Sequence, residues 1–297
     1  VEFKFIADVD TAFVELQAGT IDILKYLTSA QAETLGDDYN IVQGSMNLVH
    51  AMYLNSAYEP LSKTEVRQAL CYAVDRDAIN NFIFGGKSHI IGSHMIPAMS
   101  KYYEPEAETV YSYDPEKAKE LLAEAGYPDG EGFPAITYKY PSLQLDSDMA
   151  QALQAQWKTN LGIEVELQAE EQQVQVAERR SGDFQLARMR WTADFTDPFT
   201  FLSMYRSNDS YNDNKTNCPE YDELMAQSNE ESDPTARFEL LHQAESVLVN
   251  DYCFGVPVLN SSNIYLVSTD ITNFEIDPSR NMIRTKYLVL GDSSSES

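Results

Sequence analysis

The run ARMRWTADFTDPFTF, residues 187–201, brings two guanidinium groups, an indole and two carboxylates within a few residues of one another. Arg188 and Arg190 precede Trp191, Asp194 stands between Ala193 and Phe195, and Asp197 comes just before Pro198. Asp197-Pro198 reads as the cap and first residue of a helix over PFTFLSMY. Asp194 has no such use. It lies ahead of that helix among Trp191, Thr192, Ala193 and Phe195, where an ionised carboxylate is costly without a partner. Two readings stand side by side: an ion pair with Arg188 or Arg190, and a carboxylate held for a cationic group of a ligand.

Other familiar chemistry is absent. The sequence contains no P-loop, no GxGxxG, no HExxH and no GxSxG, and it implies neither a metal nor a cofactor. His50, His89, His94 and His242 are scattered and read as surface or loop histidines. Glu170-Glu171 reads as a solvated acidic face, and the oxygen-rich SNDSYNDNKTN lacks the Gly and closing Glu of a calcium loop. Asn208, Asn214 and Asn260 head N-x-S/T sequons, which matter only in a eukaryotic secretory setting. An enzyme using its carboxylate pairs is the weakest reading, for want of a nucleophile–base or metal constellation.

The formal charge is −26, from 47 acidic and 21 basic residues. Such a surface repels nucleic acid and anionic membrane faces. Basic spots at Arg179-Arg180, at 188–190, and at Arg280 and Arg284 stand out against it. No apolar run is long enough to span a bilayer. The opening VEFKFIADVD lacks the features of a signal peptide and reads as the middle of a strand, as in a piece that starts inside a domain. Cys71, on a helical apolar stripe, reads as a buried thiol, whereas Cys218 and Cys253 can pair in an oxidising compartment.

The elements around the site form an α/β pattern. After the opening strand, helical spacing runs through Ala12, Phe13 and Leu16 to a stop at Gly19, and IDILKYL and NLVHAMYLN follow as strands. Val66, Leu70, Ala73, Val74, Ile79 and Ile83 make one long helical stripe ended by Gly85-Gly86. A loop covers about 86–113. A helix then starts at Asp114-Pro115 and closes at Gly126. AITYKY, SDMAQALQAQWKTNLG and IEVELQ read as a right-handed βαβ crossover with parallel strands. DFQLARMRW is the strand that carries the site. DPTARFELLHQAESVLVND is a helix capped by Asp233, with Phe238, Leu241, Ala244, Val247 and Leu248 buried. FGVPVLNSSNIYLV and NMIRTKYLVL are late strands, and GDSSSES is a disordered tail.

Several segments, in order, resemble the oligopeptide- and dipeptide-binding family of ABC-transporter solute receptors: AFVELQAGTIDI, YLNSAYEPLSKTEVRQALCYAVDRDAI, YDPEKAKELLAEAGYPDG, WKTNLGIEVEL, RSGDFQLARMRWTADFTDP and CPEYDELM. The resemblance implies a type II periplasmic-binding-protein-like α/β fold, with mixed sheets and flanking helices. On it, residues 1–53 are part of lobe I, 54–260 the complete second lobe, 261–290 the strands returning to lobe I, and 291–297 the tail. The Asp of W-x-x-D-x-x-D-P, here Asp194, would accept a peptide's α-ammonium. Arg179 and Arg188 match arginines that meet the peptide's carboxylate or side chains, and Trp191, Thr192 and Ala193 would line the site. Arg190 stands where relatives often carry Gly, and would narrow or recharge it.

The implied function is extracytoplasmic: a monomeric receptor, periplasmic or lipid-anchored, that closes two lobes on a short peptide and delivers it to a membrane permease. Receptors for nickel chelates or oligosaccharides and peptide-pheromone sensors are the alternatives on the same fold. On this reading the first part of lobe I precedes Val1, so the chain alone is expected to be less soluble than the full receptor and to bind peptide weakly.

Overall fold

The structure is a computed structural model, and it describes residues 1–25, 31, 34, 38–84, 94–97, 111–277 and 282–291. Gly85-Gly86, His89, Arg280, most of the 86–113 loop and the tail from 292 lie outside the described residues.

Six strands form the main sheet, in the order β1-β6-β2-β5-β3-β4. They are β1 (Ile23–Lys25), β2 (Tyr39–Leu54), β3 (Ile136–Pro141), β4 (Val165–Glu170), β5 (Leu186–Thr192) and β6 (Gly255–Ser268). β3, β4 and β5 are mutually parallel, while β2 runs antiparallel to both β5 and β6. The expected βαβ unit is present as β3, α5 (Gln144–Leu161) and β4. Its helix ends at Gly162, in the left-handed region at φ 69°, where a Cβ would meet the Asp129 carbonyl oxygen at 2.5 Å. Only glycine permits that approach.

β2 and β6 are long strands paired over almost their whole length, with register shifts between Ser45 and Leu48 and again between His50 and Ala51. Asn47, inside the first shift, sits at φ 48°. The two strands pass through two separate apolar clusters. The smaller gathers Ala12, Phe13, Leu16, Leu24 and Leu266 around α1 (Val9–Gln17), whose N-cap Asp8 accepts from Thr11 N at 2.8 Å. The larger runs from Val49 to Leu259 and includes Trp157, Tyr138, Tyr53 and Tyr205. The β2–β6 pair thus spans both cores, with Leu266 in the smaller and Val256, Val258 and Leu259 in the larger.

Several expectations are corrected. Residues 1–6 form no strand, and Phe3 and Phe5 lie exposed. The long stripe is two helices, α2 (Thr64–Tyr72) and α3 (Arg76–Phe84). The break is held by side chains: Gln156 bonds both the N–H and the carbonyl of Asp75, Asn160 bonds Ala73 O, and Asp75 accepts from Ala78 N. Backbone groups freed by the break are thereby satisfied. NMIRTKYLVL supplies only β9 (Met282–Ile283), a 3-10 turn at Thr285–Tyr287 and β10 (Val289–Leu290); these two-residue strands pair with β8 (Ile276–Asp277) and β7 (Ile271–Thr272).

The cysteine expectation is also wrong. Cys71 and Cys253 form the disulfide, joining α2 to the start of β6 across 182 residues, and Cys218 is the buried free thiol. Helical burial of Cys71 and bridging to Cys253 are compatible, because α2 packs directly under the chain entering β6. The remaining helices meet expectation where their caps are explicit. In α4 (Pro115–Glu124) Asp114 accepts from Lys117 N, and in α9 (Pro234–Ser246), which follows α8 (Pro219–Glu230), Asp233 accepts from Ala236 N. A helix not foreseen, α6 (Gln172–Ser181), is capped by Glu171, which accepts from Gln173 N and Val174 N. Glu171 is thus a cap, while its neighbour Glu170 is buried, so the pair is no plain solvated face.

Candidate functional site

The carboxyl ends of the parallel strands lie along one edge of the sheet, at Pro141, Glu170 and Thr192. The chain leaves β3 toward β4 on one side, then returns through α6 to β5 on β3's other side. Connections therefore diverge between β3 and β5. In open α/β sheets the crevice at such a point, outside the carboxyl ends, is where ligands bind. Trp191 through Asp194 issue from β5 at that place.

Alternation along β5 sends neighbouring side chains to opposite faces. Arg188 pairs in register with Met52, Arg190 with His50 and Trp191 with Val49. Past the strand end, Ala193 N donates to Asn47 O at 2.9 Å, which ties the turn to the first register shift of β2. Trp191 is half-buried against the main core and meets Tyr211 edge-on at 5.6 Å between ring centroids. Trp191 Nε1–H and Asp194 N–H both donate to Thr200 Oγ1, each at 3.3 Å. Thr200 is buried on the short helix α7 (Phe199–Leu202). The helix is shorter than expected, with Pro198 as its cap and a 3-10 turn from Ser203 to Tyr205 after it; Asp197 still accepts from Phe199 N at 2.9 Å, and its two oxygens also receive Arg237 Nη1 and Nη2 at 2.8 Å each. The fork anchors the turn to α9.

Asp194 is exposed rather than embedded, and its carboxylate makes no ion pair or hydrogen bond with any described residue. The desolvation argument for it therefore does not apply, nor does the ion pair with Arg188. That guanidinium is buried: its Nε lies 2.6 Å from Asp146 Oδ1, and it donates to Met189 O and meets His50 Nδ1. His50 reaches on to Ser261 Oγ at 2.6 Å, so it is a core histidine and not a surface one. Arg179 is likewise engaged, with Nη1 2.7 Å from Asp213 Oδ2 and its guanidinium 5.4 Å over the Tyr53 ring. Burial pushes the Asp213 carboxyl up, although Arg179 opposes the shift. Arg190 and Thr192 are exposed and Ala193 is half-buried.

The structure thus brings Trp191, Thr192, Ala193 and Asp194 together at the carboxyl end of β5, with Arg190 just before them on the strand. Arg188 and Arg179 lie inward, each on a carboxylate of its own. Thr200, Tyr211, Asn47 and Arg237 belong to the site's framework and went unread. Asp197-Pro198 gave the helix start, but nothing local marks which hydroxyl faces the indole. Beside the site, Glu170 closes the end of β4. Its carboxyl is pushed up by burial and by Glu178, which itself is held down by a hydrogen bond from Lys139.

Three parallel strands, with an anchored aromatic–carboxylate turn where their connections diverge, thus sit beside the long antiparallel pair β2–β6. Residues 1–213 match the family model of bacterial extracellular solute-binding proteins, family 5 (middle region), and the chain belongs to that family. It is 30% identical over 260 residues to the oligopeptide-binding protein OppA of Bacillus subtilis, covering 84% of this chain and 48% of that one. Among solved structures, a periplasmic oligopeptide-binding protein (OppAIV) from Borrelia burgdorferi superposes with a TM-score of 0.76 at 28% identity, over 96% of this chain and 57% of that one. Haemophilus influenzae OppA in complex with RPPGFSPFR matches with a TM-score of 0.72 at 27% identity, over 95% and 56% respectively. The chain spans about half the length of the curated relative it matches.

Proposed function

We propose that this chain is the ligand-gripping part of an extracytoplasmic receptor for short peptides, which hands its ligand to the permease of an ABC importer. It works by binding and release, without catalysis. Residues 54–260 act as the second lobe, 1–53 and 261–290 belong to the first, and closure bends the ribbon between them. The family's extracellular description and the Cys71–Cys253 disulfide, a bond of oxidising compartments, support a place outside the cytoplasmic membrane. The observation that carries the reading is Asp194. It is a carboxylate with no partner among the described residues, at the carboxyl edge of the sheet, beside a fixed indole. A peptide α-ammonium there forms a charge-assisted hydrogen bond worth about 1.5–3 kcal/mol. Trp191, Thr192 and Ala193 line the same edge, and Arg190 faces the anionic end or side chains of the ligand. Arg179 and Arg188, held by Asp213 and Asp146, shape the lobe from behind.

Native mass spectrometry of the full-length protein, followed by denaturing release, tests the reading. A ladder of short peptides is expected, together with loss of that ladder in D194N. A single non-peptide mass overturns the peptide assignment and leaves the fold in place.

A further inference from the structure

The Asp194 carboxylate has no partner among the described residues, but its backbone N–H is held, and the group that holds it is a hydroxyl. Thr200 Oγ1 takes one hydrogen bond from the backbone of Asp194 and one from the indole of Trp191, both at 3.3 Å. An oxygen with two donors on it can hold both only while it stays in place. Thr200 is 2% exposed, and its own N–H is bonded to Asp197 O at 3.2 Å. Asp197 in turn is gripped through both oxygens by Arg237, whose Nε–H donates to Ser228 O at 3.1 Å. A continuous chain of contacts therefore runs from α9 through Asp197 and Thr200 to the two residues that face the crevice. Bidentate pairing is what makes its base stiff, since a fork fixes direction as well as distance.

We propose that Thr200 is a positioning residue for ligand recognition: its hydroxyl sets the plane of the Trp191 ring and the direction of the Asp194 carboxylate together. This rests on the reading of Asp194 as the acceptor of the ligand's ammonium. Without the hydroxyl the turn keeps its sequence and its strand, but indole and carboxylate are no longer held in one register. The ligand's cationic end then meets a carboxylate that must first be ordered, and ordering costs affinity.

The test compares T200V, which keeps the shape and removes the acceptor, with T200S, which restores the oxygen. The chain has two tryptophans, and Trp157 Nε1 donates to Leu70 O in the core, so its indole resonance is an internal reference. In T200V the Trp191 indole N–H resonance moves, in T200S it returns toward the parent position, and that of Trp157 stays. In the full-length protein, trialanine binds T200V about tenfold more weakly than the parent and T200S within about twofold, the loss expected of one hydrogen bond to a charged partner's support. N-acetyl-trialanine, lacking the ammonium, loses less, so the preference for the free peptide shrinks. A T200V protein with a lower melting temperature but an unchanged preference and an unmoved Trp191 resonance overturns the proposal. A D194N protein that binds trialanine like the parent sinks the ammonium reading itself. The indole resonance, which needs no ligand, then decides the positioning role of Thr200 by itself: moved by T200V it stands, unmoved it falls.

Discussion

Arg188 Nε lies 2.6 Å from Asp146 Oδ1, and both side chains are closed to solvent. The arginine that the family resemblance sends toward the ligand is thus neutralised from inside the lobe, by the first turn of α5. Removing one member leaves the other charge buried and alone. D146A is expected to lose about 3 kcal/mol of unfolding free energy, and the D146L/R188M pair to lose much less. Urea denaturation of the three proteins measures this. A D146A protein as stable as the parent would show that Arg188 is not tied down and is available at the crevice.

The disulfide gives a chemical count. Without reductant, unfolded protein should take up alkylating reagent at Cys218 only, and after reduction at all three cysteines. Because the bridge closes a loop of 182 residues, C71S/C253S should be less stable by about 2–4 kcal/mol. C218S should keep the bridge. Alkylation followed by mass spectrometry, with thermal melts of both variants, decides it.

His94 sets a pH dependence. Burial, with repulsion from His242 behind it, pushes the imidazole down to about 4 from the usual 6.5. Between those values the unfolded chain takes up a proton that the folded chain refuses. Stability therefore falls as pH falls from 6.5 toward 4. H94Q should flatten that part of the melting-temperature profile relative to the parent. Parallel profiles between pH 7.5 and 4.5 would rule the account out.

Glu170 runs the other way. Its carboxyl is raised by burial and by Glu178, so the folded state holds a proton that the unfolded state has already released. Stability from this group is lost as pH rises through that window, and at neutral pH the buried charge is a standing cost. E170Q should therefore melt higher than the parent at pH 7 and equal to it at pH 4. A lower melting temperature at pH 7 would mean that the Glu170 carboxylate, not its neutral form, is what the Lys139–Glu178 corner needs.

Much of this fold was written locally. The β3–α5–β4 unit was legible because strand alternation brackets a helical spacing, and helices α4 and α9 because proline at the first helical position and an aspartate cap coincide in each. Where tertiary contacts overrule local pattern, the reading failed. The stripe from Val66 to Ile83 runs through a break that Gln156 and Asn160, far along the chain, help make tolerable. The polar helix α6 buries Gln175 and no apolar stripe, so no period announced it. Residues 1–6 alternate like a strand and find no strand partner among the described residues. At the site, Trp191 and Asp194 stood out by residue type. Arg188 was misplaced because its partner lies 42 residues upstream, and Thr200 passed as one more residue of an apolar helix.

The paired strands β2 and β6 have a mechanical consequence. Two strands bonded side by side, about 4.8 Å apart, behave as a leaf spring. Bending within the plane of the ribbon would stretch the hydrogen bonds along one edge and compress the other, so that direction is stiff. Flexing across the plane or twisting about the long axis leaves every bond in the ladder made and asks only for small changes in backbone torsion. The thinnest point is the register shift at Asn47, where the ladder is already interrupted and the Ala193 amide is attached. Flexing or twisting of the α1 end of the ribbon is thus easier than bending it edgewise, and the Asn47 shift, where the turn bearing Asp194 is attached, is the place that yields first.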